Sequence, residues 1–210
     1  MLKLWGRRTS INVQKVLWVL AESGLEASRE DVGGSFGGLD TDGYAAMNPT
    51  RRVPTLRDGD LVLWESNAIC RYLVDRHGGP LRQQGPAACA QADMWMGWFQ
   101  NAVYAPFITT FHQTVRLPPA DRNPDMLAAA LDDLHDRFAI FEAALGGNDF
   151  ILGDRLCLGD IPFGSCLYRY FTLDIPRRSF PRIEAYYDRL VQNPVYREAV
   201  MVDYSSLRAP

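Results

Sequence analysis

The alternation of apolar and polar positions predicts that the first third of the chain forms a small α/β layer. Short apolar runs suited to strands are interleaved with stretches of helical periodicity. Asp58-Gly59, between two apolar runs, indicates a hairpin turn. The glycine-rich segment 33–43 lacks the GxxxxGK[ST] pattern and opens no convincing helix, so a mobile loop is favoured over a phosphate cradle. The expected order is strand, helix, strand, loop, strand, strand and helix over residues 2–5, 12–23, 28–32, 33–43, 53–56, 61–64 and 66–76.

Beyond residue 86 the pattern becomes entirely helical. Segment 78–86 contains Gly-Pro pairs near both ends and is expected to be a linker. Between residues 124 and 145 apolar side chains recur every three or four positions, which predicts a helix with one buried stripe. The predicted division is therefore a first domain over 1–77, the linker 78–86 and an all-helical domain over 87–210.

Composition and charge narrow the class of protein. The chain has 210 residues, 47% of them apolar, which is enough for one large domain or two small ones with a sizeable core. A net charge of −3 without a basic patch argues against a nucleic-acid partner. No apolar run reaches the ~18 residues of a membrane span, and the first residues lack a signal-peptide pattern, so we expect a soluble, cytoplasmic protein without a membrane partner.

The cysteines and histidines point away from metal and disulfide chemistry. The four cysteines show no CxxC spacing, which is typical of a reducing compartment, and Cys70, Cys157 and Cys166 lie in apolar surroundings that favour packing roles. The three histidines are far apart and show no metal-ligand spacing, so no metal is expected. No cysteine precedes Cys70, which argues against disulfide reduction by a thiol after the first strand.

The segment from Val53 to Ser66 carries the most distinctive chemistry. Pro54 at the start of a buried strand cannot donate to the sheet, and a cis bond before it would leave the Val53 N–H and C=O for an extended peptide-like ligand. Glu65 and Ser66 lie at a predicted helix N-terminus, which attracts a carboxylate. Strand-like pairing beside an amino-acid-binding end suits a small peptide such as glutathione. An ordinary edge proline and plain helix capping are the alternatives.

Three motifs in order resemble the cytosolic glutathione S-transferases, in particular bacterial serine-type members. They run from Trp5 to Val16, from Asn48 to Ile69, and from Leu156 to Pro162, and the resemblance covers essentially the whole chain. It implies a thioredoxin-like β-α-β-α-β-β-α domain followed by an all-α domain that contributes a pocket for a hydrophobic electrophile. It also implies glutathione as co-substrate and a homodimer. Two positions depart from the pattern: Cys157 replaces a capping Ser or Thr, and Arg51 replaces a frequent Gly.

The resemblance implies that Ser10 donates a hydrogen bond to the glutathione thiolate. Residue type alone would favour helix capping for Ser10, and Thr9 is the next candidate donor. Asn12 either reaches the sulfur or holds Ser10, its alternative being a place in the first helical turn. The electrophile itself is not named by the sequence, and a non-catalytic binding protein on the same scaffold is the rival hypothesis.

The resemblance also assigns the glutathione-binding residues. Val53 would bind the cysteinyl backbone by main-chain bonds while Pro54 sets its geometry. Glu65 would pair with the γ-glutamyl ammonium, and Ser66 would take its carboxylate. Arg52 would lie near the glycyl carboxylate, unless it is a solvated surface charge. Aromatic residues of the helix expected over 87–114 contribute either to an electrophile pocket or, more simply, to core packing or a dimer seam: Trp95, Trp98, Phe99, Tyr104, Phe107 and Phe111.

Overall fold

A computed structural model describes residues 1–209 of the chain, which fall into two compact units. The first comprises Met1–Arg82 together with Val195–Val202, and the second comprises Gln83–Pro194 and the residues from Asp203 onward. The sequence-based division assigned all of 87–210 to the helical domain, whereas in the structure the segment Val195–Val202 belongs with the N-terminal unit.

The N-terminal unit is built on a mixed sheet in the strand order β2-β1-β3-β4. β1 pairs with β2 in parallel and with β3 antiparallel, and β3 pairs antiparallel with β4. Asp58 pairs with Leu61, so the hairpin turn consists of Gly59 and Asp60, one residue later than Asp58-Gly59, and Gly59 has a φ of +58° that glycine adopts readily. The strands are β1 Leu2–Trp5, β2 Ala27–Glu30, β3 Thr55–Asp58 and β4 Leu61–Trp64.

The third strand begins two residues later than the sequence predicts. The pattern suggested a strand over 53–56, but pairing starts at Thr55. Pro54 has no N–H to donate to a ladder, so the sheet can include the chain only after it. Val53 therefore lies outside the sheet, and this displacement matters for the site described below.

The N-terminal unit also contains helices, and one of them was missed by residue patterns alone. The loop expected over 33–43 contains a 3₁₀ turn, Gly34–Phe36, and ends where a short helix begins. Thr41 caps that helix by accepting a hydrogen bond from the Tyr44 N–H at 3.2 Å. The β-α-β-α-β-β-α order implied by the family resemblance is confirmed. The helices are α1 Ile11–Glu22, α2 Asp42–Met47 and α3 Ser66–His77.

Within its described residues, the second unit is helical. The stripe predicted between 124 and 145 is confirmed, because α6 buries Leu131, Leu134, Phe138 and Phe141. The predicted 87–114 helix appears as a nearly continuous run with π-helical turns at Phe99–Val103 and His112–Arg116. The helices are α4 Gly85–Trp98, α5 Tyr104–Phe111, α6 Pro124–Leu145, α7 Asp160–Thr172 and α8 Pro181–Gln192. A last helix, α9 Pro194–Val200, forms most of the segment Val195–Val202 that belongs with the N-terminal unit.

The turn before α7 shows how the chain accommodates Cys157 in place of a hydroxyl. Asp160 is fully buried, and its carboxylate accepts hydrogen bonds from the Ile151 N–H at 2.9 Å, the Cys157 N–H at 2.9 Å and the Tyr186 hydroxyl at 3.2 Å. Asp160 thus interacts with both the backbone N–H and the thiol of Cys157 in this turn. Burial raises the pKa of Asp160 to about 6 despite these donors.

Buried side chains bear out the packing roles predicted for several residues. Cys70, Cys157 and Cys166 are buried free thiols. In the aromatic group of the α4–α5 run, Phe99, Phe107 and Phe111 are fully buried, which favours core packing for these three.

Candidate active site

Ser10 occupies the N-cap position of α1, yet its hydroxyl does not cap the helix. Its backbone is extended, with φ −87° and ψ 123°, and its carbonyl accepts the hydrogen bond of the Gln14 N–H at 2.9 Å. The side chain makes no capping hydrogen bond and is half-buried. Ser10 therefore begins the helix through its backbone, and its side chain does not cap it. Its hydroxyl is thus not used by the helix, and Thr9 precedes it in the same turn.

Asn12 connects the first turn of α1 to the start of α3. The Ser66 hydroxyl donates to Asn12 Oδ1 at 3.3 Å, and Ser66 is 4% exposed. The sequence had placed Asn12 next to Ser10 or the sulfur, whereas its observed side-chain partner is Ser66. This bond brings the two helix N-termini that carry the predicted catalytic and γ-glutamyl-binding residues into one region of the N-terminal unit.

Gly6 brings the Val53 segment against the same region. A Cβ on Gly6 would lie 2.5 Å from Val13 Cγ2, which is too short unless Val13 shifts, and 3.3 Å from Val53 Cβ, which is a tight contact. Gly6 also has a φ of +151°. Only glycine therefore lets the end of β1 pass between α1 and Val53, and this close approach places Val53 beside the loop that leads to Ser10.

The Val53-Pro54 peptide bond is cis, as the sequence predicted. Val53 is half-buried and packs against a cluster formed by Trp5, Val32 and Tyr44. Because β3 starts only at Thr55, the backbone of Val53 has no place in the sheet ladder. Its side chain is anchored while its main chain is left to pair with an extended ligand, which is the geometry that strand-like peptide binding requires.

A buried hydrogen-bond network underlies the Val53 segment. The Tyr44 hydroxyl donates to the Arg52 carbonyl at 2.7 Å and lies 2.8 Å from Thr55 Oγ1. Asn48 Nδ2 donates to the same two oxygens, at 2.9 and 3.0 Å. Burial raises the pKa of Tyr44, which keeps its hydroxyl protonated at neutral pH. Sequence reasoning missed Tyr44 and Thr55, and the only local signal was the Thr41 cap that turns Tyr44 inward.

Glu65 is held in a strained backbone conformation at the N-cap of α3. Its φ is +72° and ψ is 113°, and its side chain is exposed and makes no capping hydrogen bond. Such a conformation costs of order 1–3 kcal/mol for a non-glycine residue and persists where the surroundings demand it. Capping therefore does not explain the Glu65 carboxylate. It lies next to Ser66 at the positive end of α3, where an amino acid would meet both an anion and N–H donors.

Arg51 and Arg52 directly precede Val53 in the sequence, and both are exposed. Arg51 has a φ of +52°, a conformation that suits the glycine frequent in the family pattern, and its guanidinium donates to the Asp40 carbonyl at 2.6 Å. Arg52 is exposed. The turn into Val53 thus keeps a glycine-type conformation although its residue is arginine.

Comparison with known proteins agrees with this architecture. Residues 1–75 match the glutathione S-transferase N-terminal domain, and residues 103–194 match the glutathione S-transferase C-terminal domain. The chain belongs to the glutathione S-transferase family, as its motifs indicated.

Two relatives cover nearly the whole chain. Glutathione S-transferase GstB of Escherichia coli K12 is 35% identical over 98% of this chain and 100% of its own length. A theta class glutathione S-transferase from Xanthomonas axonopodis pv. citri, with glutathione bound, shares 43% identity and a TM-score of 0.92, covering 96% of this chain and 98% of that one. A more distant relative, the probable glutathione S-transferase GSTF2 of Oryza sativa subsp. japonica, is 29% identical over 92% of this chain and 93% of its own length.

The described residues contain neither a helix able to span a membrane nor a metal-binding group. Within residues 1–209 no helix combines the length and apolar character needed to cross a bilayer. The same residues contain no group of three or more His, Cys, Asp or Glu side chains arranged to hold a metal ion.

Proposed function

We propose that this protein is a glutathione transferase that binds glutathione in its N-terminal unit and presents the thiolate to a hydrophobic electrophile. The observation that carries the proposal is the Ser10 hydroxyl, which lies at the N-terminus of α1 without serving the helix. The proposal is supported by 43% identity to a theta class glutathione S-transferase with glutathione bound.

The chemical task of the site is to favour thiolate over thiol. A cysteine thiol has a pKa near 8.5, so only a few per cent is nucleophilic at neutral pH. Lowering this pKa by two units requires about 2.7 kcal/mol of preferential stabilisation. A hydroxyl that donates to the sulfur anion supplies roughly 1.5–3 kcal/mol, and the N-terminus of α1 adds to it. We assign the donor role to Ser10, with Thr9 and Asn12 as alternatives.

The rest of the tripeptide would be bound by groups that the fold leaves unused. Val53, outside the sheet and followed by cis Pro54, would pair with the cysteinyl backbone. Ser66 and the α3 N-terminus would bind the γ-glutamyl carboxylate, and the exposed Glu65 would pair with its ammonium. The exposed Arg52 would interact with the glycyl carboxylate.

Replacement of Ser10 by alanine tests the mechanism. We expect Ser10→Ala to raise the pKa of the bound thiol by about 1–2 units and to lower turnover at pH 6.5 by about 10- to 100-fold, with glutathione affinity largely kept. Turnover would be followed with glutathione and a panel of electrophiles. Ser28→Ala, which removes the hydroxyl of an exposed residue in β2, is the matched control and should leave turnover unchanged.

Two other outcomes would change the assigned thiolate donor or contradict the proposed enzyme. Unchanged turnover of Ser10→Ala at pH 6.5 would transfer the donor role to Thr9 or Asn12, which the corresponding alanine variants would identify. Failure of the wild-type protein to bind immobilised glutathione would contradict the enzyme and favour the binding-protein hypothesis.

We further propose a homodimer. β4 is an edge strand, and it exposes 42% of Leu61 and 38% of Trp64, large apolar side chains whose burial by a second copy would be favourable. Sedimentation at micromolar concentration should give twice the chain mass of 23.7 kDa, and Trp64→Arg should shift it towards the monomer. A monomeric wild-type protein would overturn this assignment.

We also propose a cytoplasmic location. The cysteines are all free thiols in the described structure, which is typical of a reducing compartment. Fractionation of the source cells should recover the protein with cytoplasmic markers, and recovery with an oxidising compartment would contradict the assignment.

A further inference from the structure

The carbonyl of Arg52 is held from inside the protein by two side chains. Tyr44 and Asn48 both donate to it, at 2.7 and 2.9 Å, so both of its lone pairs are engaged. Tyr44 is 4% exposed and Asn48 is 1% exposed, whereas the Arg52 side chain points to solvent. The main chain immediately before Val53 is thus fixed by buried groups, whatever the Arg52 side chain binds.

The same two side chains also hold the residue immediately after Pro54, through its side chain. Tyr44 and Asn48 both contact Thr55 Oγ1, at 2.8 and 3.0 Å, and Thr55 is fully buried. The Val53-Pro54 dipeptide is therefore clamped at both ends by one pair of side chains.

Each polar hydrogen in this network can be assigned to an acceptor. The single Tyr44 proton goes to the Arg52 carbonyl, so the Thr55 hydroxyl must donate to Tyr44. The two Asn48 amide protons go to the Arg52 carbonyl and to Thr55 Oγ1. Asn48 Oδ1 accepts from the Thr50 N–H at 3.0 Å and the Thr50 hydroxyl at 2.6 Å. Every polar hydrogen of the three side chains has one acceptor, and a fully satisfied buried network is rigid.

Rigidity at this place has a specific use. Val53 is outside the sheet ladder, so the sheet does not fix the direction of its N–H and C=O. A ligand that pairs with a mobile backbone must order it on binding and so binds more weakly. The network removes that cost by holding the residues on both sides of Val53-Pro54.

We propose that Tyr44, Asn48 and Thr55 are positioning residues that set the affinity for the cysteinyl backbone of glutathione and take no part in activating its thiol. The inference rests on the proposed function, because it concerns the same glutathione site. It predicts a separation of two quantities: glutathione affinity depends on the network, and the pKa of the bound thiol does not.

Tyr44→Phe is the sharpest test, since it keeps the ring and removes one hydroxyl. We expect the KM for glutathione to rise about tenfold, while kcat at saturating glutathione changes less than twofold and the pKa of the bound thiol stays within about 0.3 units. Tyr72→Phe is the matched control, because it removes a hydroxyl that donates to Asp58 Oδ2 at 2.8 Å away from this network, and it should leave KM unchanged.

Substitutions of Thr55 separate positioning from folding. Thr55→Ser keeps the hydroxyl and should retain most of the affinity, whereas Thr55→Val removes it at equal size and should raise KM as Tyr44→Phe does. The loss in the Tyr44→Phe, Thr55→Val double variant should be smaller than the product of the single losses, because Thr55 donates to Tyr44. Thermal unfolding and titration of active sites would be measured on each variant, so that a loss of folded protein is not counted as weaker binding.

A modified ligand ties the effect to the cysteinyl backbone. With a glutathione analogue methylated on the cysteinyl amide nitrogen, which cannot donate to the Val53 carbonyl, wild type and Tyr44→Phe should bind within about twofold of each other. An unchanged KM in Tyr44→Phe, or a rise in thiol pKa equal to that of Ser10→Ala, would overturn the positioning role while leaving the transferase intact. Absence of glutathione binding by the wild type would instead overturn the proposed function, and this inference with it.

Discussion

Two helix N-termini in this protein differ in whether their polar side chain is hydrogen-bonded within the chain. At the start of α7, in the second unit, the Asp160 carboxylate is fully buried and accepts three hydrogen bonds from its own chain. At the start of α1, in the N-terminal unit, the Ser10 hydroxyl is half-buried and makes no capping bond. A polar group satisfied by the chain stabilises the fold, and one left unsatisfied beside a helix N-terminus is available to a ligand.

Backbone strain follows the same division. Among the described residues the non-glycine positions with positive φ are Arg51 and Glu65, and both lie in the N-terminal unit next to proposed ligand-binding groups. Strain of this kind is retained where function requires the conformation. The comparison therefore predicts that substitutions will lower stability at the α7 turn and lower activity at the α1 and α3 N-termini.

The largest effect is expected at Asp160. Asp160→Ala leaves the Ile151 N–H and the Cys157 N–H without this acceptor in a buried site and removes one acceptor of the Tyr186 hydroxyl, so it should lower the free energy of unfolding by about 4 kcal/mol or more. Chemical denaturation would measure this loss. Asp125→Ala, an exposed acid in the first turn of α6, is the control and should cost less than about 1 kcal/mol. Equal losses of stability in Asp160→Ala and Asp125→Ala would contradict the structural role of the Asp160 carboxylate.

The titration of Asp160 gives the next effect. Its pKa is raised from 3.8 to about 6 in the folded protein by burial, so the folded state binds the proton more tightly than the unfolded state. Its contribution is therefore fully present below about pH 3.8 and is lost as pH rises through 6, by up to about 3 kcal/mol. The difference in stability between wild type and Asp160→Asn should shrink over that window. A difference that grows with pH would show that hydrogen bonding to the carboxylate outweighs its burial.

Relief of backbone strain at Glu65 is expected to have a smaller effect, which raises stability and weakens glutathione binding. Glu65→Gly should raise the free energy of unfolding by about 1 kcal/mol because glycine accepts a positive φ, while glutathione binding weakens at least tenfold through loss of the ammonium partner. Arg51→Gly should give a similar gain in stability and retain binding. Melting curves with and without glutathione distinguish the two, and undiminished binding by Glu65→Gly would remove Glu65 from the site.

The smallest expected effect is on the stability of Ser10→Ala. Since the hydroxyl makes no capping bond, its removal should change the free energy of unfolding by less than about 0.5 kcal/mol, against the typical ~1 kcal/mol for loss of a working cap. Chemical denaturation without glutathione would measure this. A loss near 1 kcal/mol would mean that Ser10 caps α1 after all and would weaken its assignment as thiolate donor.

Much of the fold and part of the candidate site could be predicted from local patterns. The α6 stripe, the hairpin strands, the cis bond before Pro54 and the helix start at Ser66 each depend on spacing or on the chemistry of one or two neighbouring residues. The start of β3 was placed too early because an apolar run does not show that strand pairing can begin only after the proline. Helix α2 was absent from the residue-based order because its six residues follow a glycine-rich stretch and carry little periodicity.

The sequence by itself determined most of the elements, the family to which the chain belongs and the residues proposed for the glutathione site. Tertiary structure alone decided that Asn12 bonds to Ser66, that Gly6 lets Val53 approach α1, and that Tyr44 and Asn48 hold both ends of the Val53-Pro54 dipeptide. The physical reason is distance along the chain. Periodicity and capping are written in adjacent residues, whereas a hydrogen bond between side chains 54 positions apart exists only once packing has brought their helices together.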